Sequence, residues 1–190
     1  VPFTKQWDPA QGEGPVFTGL ACNSCHNNPV SGGGSDTQKA TYFGTLNSDG
    51  TFNPLTEEGG MLLQHGTVAR FQKNCQLSGE ILPADATIVA KHLAPPTFGS
   101  GLIDSILDSD ILAQAIDKGS GVHGVANMVP DELGVTRPGR FGRKAQFVTA
   151  MQFSASALAH DMGITNTYVP DEDLPSGQPI PPNCAVAPEP

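Results

Sequence analysis

The sequence has few basic residues, few aromatic residues and no long apolar run. Ten Lys and Arg residues stand against 19 Asp and Glu residues, which gives a formal charge of −9 at pH 7. Nucleic acids and anionic membrane surfaces would repel such a chain overall. No stretch approaches the roughly 18 apolar residues of a membrane span, and no basic-then-apolar signal peptide opens the chain. We therefore expect a mature chain with no nucleic-acid partner and no membrane span.

Aromatic residues make up only 6% of the sequence, whereas there are 22 glycines and 17 prolines. This composition predicts long ordered loops, because glycine and proline interrupt both helices and strands. With 190 residues, the chain is long enough for one domain with a real core.

Cysteine is also scarce, and two of the four cysteines lie close together in the stretch GLACNSCHNNP. Cys22 and Cys25 are separated by two residues, and His26 follows directly. This is the spacing of a c-type haem attachment site, in which two thiols bond the porphyrin and the histidine coordinates iron. A helical turn suits it, because residues three apart share one face. The motif predicts one covalent haem c, with His26 as the proximal iron ligand.

Two other interpretations of the Cys-x-x-Cys pair are weaker. A thioredoxin-like dithiol would follow a strand in a βαβ unit, but glycine-rich sequence precedes and follows this motif. A structural zinc site would need two further ligands at comparable spacing, and the other cysteines stand alone.

The remaining cysteines, Cys75 and Cys184, form a pair by elimination. Covalent haem is attached outside the cytoplasm, so we expect a periplasmic or extracellular protein whose export signal has been removed. In an oxidising compartment the two cysteines most simply form a disulfide. That bridge would close a loop of about 110 residues and contribute roughly 4 to 5 kcal/mol in the chain-entropy model. The alternative is two unpaired thiols.

Local patterns predict several elements. Two apolar-aromatic stretches around residues 47–50 predict a β-hairpin. The stretch RKAQFVTAMQFSASALAHDMG, residues 143–163, has an apolar stripe and a final glycine and predicts the longest helix. From Tyr168 onward the chain is rich in proline. We expect a c-type haem domain over residues 1–168 and an extended tail over residues 169–190, anchored through Cys184.

Four segments in order resemble the di-haem oxidoreductase (putative peroxidase) family, which is related to bacterial di-haem cytochrome c peroxidases. They are GPVFTGLACNSCHNNPVSGGGS, LAPPTFGSGLIDSI, GRFGRKAQ and HDMGIT, and they span about residues 14–166. The resemblance is to the amino-terminal haem domain and implies a mainly α, cytochrome c-like domain, exported and active in electron transfer or peroxide chemistry. We expect that fold here, with long loops, one small hairpin and the proline-rich tail.

The sequence departs from that family in two ways. No second haem motif is present, and Arg143 stands where an aromatic residue is expected. Both departures argue against two-haem chemistry within these residues, and whether the chain is a fragment of a longer di-haem protein stays open.

The function depends on which ligand, if any, occupies the iron face opposite His26. A thioether ligand favours electron transfer, whereas an open position permits peroxide to bind. Met162, in the family-like segment HDMGIT, is the first candidate, and Met128, in a loop before Pro130, is the second. His123 and His65 follow. The other candidates are Met61, Met151, His92 and His160. Asp161 is the candidate catalytic acid and base, by resemblance to the distal acid of the peroxidases.

A basic cluster stands out in this acidic chain: Arg137, Arg140, Arg143 and Lys144. The arginines are suited to bidentate bonds with the two haem propionates, so we expect all three to bind the cofactor. The alternative is a solvated basic turn that docks a partner.

Two functions remain open from the sequence. The first is an exported single-haem cytochrome that transfers electrons to other redox proteins, other cytochromes or copies of itself. The second is a peroxidase-like enzyme that uses Asp161 beside an open iron face.

Overall fold

Among the residues that the computed structural model describes, helix and strand contribute equally, at 21% each. The structure describes residues 3–7, 14–37, 39–67, 73 and 76–181. The expectation of a mainly α fold is therefore wrong. The physical reason is the glycine and proline content, which limits most helices to one turn. Between them, short paired strands satisfy the hydrogen-bonding groups of the backbone.

Two compact units divide the chain. Unit 1 comprises residues 1–98 and 157–190, and unit 2 comprises residues 99–156. No helix of the described residues is long and apolar enough to cross a membrane.

In the described residues of unit 1, the strands form two antiparallel sheets. Strands β1 (Val16–Phe17) and β4 (Gly66–Thr67) form one, and β3 (Phe52–Asn53), β2 (Lys39–Leu46) and β5 (Ile88–Leu93) form the other in that order. The β2–β3 hairpin is confirmed by the pairing of Thr45 with Asn53. Gly50, with φ of +83°, makes its turn possible.

Helix α1 (Cys22–Cys25) is a single turn that carries the two thiols. Unit 1 also contains short helical turns over Thr56–Glu58 and Pro175–Gly177. Its most deeply buried apolar side chains include Val16, Phe43 and Met162. The Cys-x-x-Cys-His motif therefore lies on a small scaffold of strands and loops.

Unit 2 contains helices α2 (Ser100–Asp104) and α3 (Asp108–Leu112) and the antiparallel pair β6 (Met128–Pro130) and β7 (Thr136–Pro138). Helix α4 (Ala150–Met162) is the longest described helix, and the boundary between the units falls within it.

The predicted helix over 143–163 is confirmed only from residue 150 onward. Before α4 the chain turns back on itself, so that Phe147 exchanges backbone hydrogen bonds with Phe141. Ala145 takes a positive φ of +50° within that loop. The helix then begins at a capping box, because Thr149 Oγ1 accepts the Gln152 N–H while Gln152 Oε1 accepts the Thr149 N–H.

Candidate functional site

The two motif thiols lie on the single turn of α1, and both cysteines are half-buried. The turn closes with the His26 N–H donating to the Cys22 carbonyl over 2.9 Å. The Asn23 N–H donates to the Phe3 carbonyl over 3.0 Å, which fixes the chain before the motif against this turn. Residues Cys22 and Cys25 thus share one helical face.

His26 is oriented by its own loop. Its Nδ1 atom lies 3.2 Å from the carbonyl oxygen of Gly33. A carbonyl only accepts, so the bond requires the proton on Nδ1 and leaves the Nε2 lone pair available for a metal. The Gly32 N–H donates to the His26 carbonyl over 2.8 Å, and a Cβ on Gly33 would collide with the Asn28 carbonyl. The glycine run therefore permits the close turn that holds the imidazole.

Met162 lies next to the motif. This residue is only 6% exposed, and its Sδ lies 4.0 Å from Cys22 Sγ. The carbonyl of the preceding Asp161 accepts the backbone N–H groups of Thr18 and Gly19 over 2.7 and 3.0 Å. The end of α4 is thereby tied to the segment that leads into the haem motif.

Asp161 and Cys25 are both held towards their neutral forms. Burial raises the pKa of the Asp161 carboxyl to about 6, while the positive charge of His160 opposes the shift and Asp173 adds to it. Burial also raises the pKa of the Cys25 thiol to about 11, with a further contribution from Asp161.

A partly buried polar network lies at the end of α4. Gln64, 2% exposed, donates from Nε2 to the His160 carbonyl at 2.7 Å and to Asp173 Oδ2 at 2.8 Å. His160 Nδ1 lies 2.9 Å from the same Asp173 oxygen, and this bond raises the pKa of His160 although burial opposes it. Glu80 accepts the backbone N–H groups of Gln64 and Ser176 over 2.7 and 2.8 Å.

Sequence reasoning missed this network. Gln64 follows an apolar run and precedes a histidine, and Asp173 lies in an acidic stretch typical of a solvated surface. No local pattern connects two residues that are 109 positions apart. Only the fold brings them together.

The arginines predicted to bind propionates lie in unit 2, and two of them contact a carboxylate of the chain itself. Arg137 forms a bidentate pair with Asp108 at 2.7 and 3.0 Å, and Arg140 contacts the same carboxylate. The hydrogen bond from Arg137, followed by that from Arg140, lowers the pKa of Asp108 although desolvation opposes them. The Arg140 side chain is 4% exposed, whereas Arg143 and Lys144 are exposed. The propionate role stays a prediction.

The other leading candidates for the iron ligand are placed differently from Met162. Met128 is 46% exposed on β6 in unit 2, and the exposed His123, also in unit 2, lies 3.6 Å from Asp117. His65 is exposed in unit 1. Met162, by contrast, is buried and contacts a residue of the motif.

Comparison with known proteins gave one match. The model of the family described as di-haem oxidoreductase, putative peroxidase, matches residues 69–181, which is more than half of the chain. The matched range includes Asp161, Met162 and Asp173 but begins after the Cys-x-x-Cys-His motif. Neither the curated proteins nor the solved structures gave a match.

Proposed function

The chain belongs to the di-haem oxidoreductase, putative peroxidase family, and we propose that it is an exported cytochrome that carries one covalent haem c and transfers electrons. Cys22 and Cys25 would hold the porphyrin, and His26 would hold the iron. When bound, the haem supplies a centre that accepts and releases one electron at a time.

The hydrogen bond between His26 Nδ1 and the Gly33 carbonyl carries this proposal. It fixes the imidazole tautomer so that Nε2 is the basic nitrogen, as a metal ligand requires. The two thiols lie on one helical turn that ends directly before the imidazole. The residues present therefore fit a c-type haem.

Met162 supports electron transfer as the primary activity. Its buried thioether, 4.0 Å from Cys22 Sγ, supplies a soft ligand beside the motif. Ligation by methionine raises the reduction potential and closes the coordination that peroxide would need. Partners would then be other redox proteins, other cytochromes or a second copy of this chain, in the periplasm or outside the cell.

Visible spectra test this assignment. The oxidised wild-type protein should show a weak thioether–iron band towards the red, and Met162→Ala should remove it while the haem stays attached. Met128→Ala is the matched control and should keep the band. A band that survives in Met162→Ala and disappears in Met128→Ala would assign the ligand to Met128 instead.

Asp161 supports a second candidate, a peroxidase-like activity. A carboxyl with a pKa of about 6 is suited to taking up and returning a proton near neutral pH. Under this alternative, the iron is high-spin in the resting protein, and Asp161→Asn lowers the rate of peroxide reduction by about a hundredfold or more. A low-spin protein with no turnover of peroxide would leave electron transfer as the function.

A further inference from the structure

We propose that Gln64 is a positioning residue for the distal iron ligand: its side-chain amide holds the end of α4 in the place where Met162 reaches the iron. This inference rests on the proposed function, because it takes Met162 as the ligand. Gln64 forms hydrogen bonds with His160, Asp173 and Glu80, so its effect on Met162 would pass through the backbone of α4.

The last carbonyls of a helix have no partner within the helix and must find one elsewhere. In α4, Gly163 and Ile164 donate to the carbonyls of Ala159 and Leu158, which closes the helix end locally. The His160 carbonyl instead accepts from Gln64 Nε2 over 2.7 Å. Gln64 therefore anchors the main chain two residues before Met162.

The same amide also fixes the side chain of His160. Its second bond, 2.8 Å to Asp173 Oδ2, orients the carboxylate that in turn lies 2.9 Å from His160 Nδ1. Gln64 thus holds the His160 carbonyl directly and the His160 ring through Asp173. Such a brace on two points resists rotation of the last helical turn, and rotation of that turn would swing the Met162 sulfur.

Gln64 is itself held rigidly. Its backbone N–H donates to Glu80 Oε2 over 2.7 Å, and the other oxygen of Glu80 accepts from Ser176. Gln64 is 2% exposed, whereas the Asp173 side chain is 29% exposed, so removal of the amide leaves the His160 carbonyl without this donor while water can reach Asp173. An isosteric apolar side chain at this position would leave the His160 carbonyl and Asp173 with fewer partners.

The test compares Gln64→Met with Gln152→Met in the haem-loaded full chain. Gln152 is the matched control, because it also braces backbone groups: it accepts from Val148 over 2.9 Å and donates to Pro130 over 3.0 Å. Its position at the start of α4 is ten residues from Met162. Both substitutions remove one bridging amide from the protein.

Gln64→Met should raise the ratio of iron without thioether to iron with thioether about tenfold or more, because the His160 carbonyl and Asp173 each lose a donor. The red thioether–iron band should weaken and the midpoint potential should fall, while the haem content stays at the wild-type level. Backbone amide exchange should accelerate at residues 158–163. Gln152→Met should keep the wild-type band and potential.

A wild-type band and potential in Gln64→Met would overturn the inference. If Gln64→Met does not accumulate, Gln64→Asn is measured in the same way, and a wild-type band in it would count equally against the proposal. Failure of the proposed function looks different, because the wild-type protein would then carry no haem, or its band would survive Met162→Ala. The inference about Gln64 falls in either of those cases.

Discussion

At the scale of single residues, the environment of the motif raises the pKa of two acidic groups. Burial is the largest cause of the raised pKa at both Asp161 and Cys25. Neighbouring charges contribute as well, since Asp173 raises the pKa of Asp161 and Asp161 raises that of Cys25. A thiol with a pKa of about 11 stays protonated at neutral pH. The pKa of Cys25 is thus not lowered as it is in a reactive thiolate.

The raised pKa of Asp161 predicts how the free energy of unfolding depends on pH. Its folded-state pKa of about 6 lies above the ordinary value of 3.8, so between these values the folded state binds more protons than the unfolded state. The free energy of unfolding should therefore fall as pH rises from about 4 to 6, by up to about 3 kcal/mol. Asp161→Asn should remove this pH-dependent loss, and its free energy of unfolding at pH 7.5 should therefore be higher than that of the wild type.

Urea unfolding at pH 4.5 and 7.5 measures both effects. Asp36→Asn, which removes an exposed carboxylate from the same unit, is the control for the loss of one charge. If Asp161→Asn were less stable than the wild type at pH 7.5, the carboxylate would be stabilising and the assigned direction of its pKa would be wrong.

Sequence alone predicts Cys22, Cys25 and His26 as the haem site, because the chemistry of such a site depends on a fixed local spacing. It also selected Met162, through a resemblance. Sequence alone did not point to Gln64, because the partners of this buried amide are distant in the chain and only the fold brings them to it.

At the scale of elements, the end of α4 is the critical feature. Gly163 follows the helix with φ of +63°, and a Cβ there would lie 2.5 Å from the Val16 carbonyl oxygen. The positive φ and the close backbone approach both require glycine. This approach brings the last turn of α4 next to β1 and the segment leading to the motif.

We predict that Gly163→Ala lowers the free energy of unfolding by about 2 to 4 kcal/mol, because a backbone collision adds to the cost of the positive φ. Gly50→Ala is the matched control in the same unit, since its φ is +83° and a Cβ there would meet nothing within 4 Å. It should cost only about 1 kcal/mol. Equal losses in the two variants, measured by urea unfolding, would show that the contact with Val16 is unimportant.

Elements with a local signal were predictable and the others were not. The β2–β3 hairpin followed from turn residues between two apolar stretches. The start of α4 was placed too early because the apolar stripe was extended back to residue 143, although Thr149 and Gln152 carry the Ser/Thr-x-x-Glu/Gln signature of a capping box. The pairing of Phe141 with Phe147, which ends the loop, has no such local signal.

At the scale of the whole molecule, negative charge is unevenly distributed. Unit 2 contains five of the ten Lys and Arg residues and six of the 19 Asp and Glu residues, so it is nearly neutral, whereas unit 1 holds most of the net charge of −9. Arg140 is buried against Asp108 and does not present its charge to solvent. Docking of an acidic partner would therefore depend on the exposed Arg143 and Lys144.

We predict that reversing Arg143 and Lys144 to Glu slows oxidation of the reduced protein by ferricyanide, a small anion, about tenfold at low salt. Attraction of the anion to this region should also fade above about 0.1 M salt, so the salt dependence should flatten in the variant. Stopped-flow rates across ionic strength measure both effects.

Reversal of the exposed Lys73 and Lys91 changes the net charge by the same amount and is the control. Equal slowing in the two double variants would indicate a general effect of net charge and would contradict a local docking role.

The predicted disulfide between Cys75 and Cys184 falls on residues outside the described part of the chain. It stays a prediction, with the proline-rich tail held to the rest of the protein by the bridge. Thiol titration of the unfolded, unreduced protein checks it, and no free thiol is expected once the haem occupies the other two cysteines. Two reactive thiols that map to positions 75 and 184 would refute the pairing.

Fold class was the least predictable property. The resemblance implied a mainly α domain, but the glycines and prolines divide the chain into short pieces that pair as strands. Which strands meet, such as Val16 with Thr67, depends on contacts between distant parts of the chain, and no periodicity along the sequence encodes them.

Covalent attachment of one haem to Cys22 and Cys25 is the central claim, and intact mass spectrometry of the denatured protein tests it most directly. The protein is purified after export from cells that are able to attach haem c. We expect the polypeptide mass plus one haem, with the label on the peptide that contains residues 22–26. A bare polypeptide mass with both motif thiols free would contradict the claim.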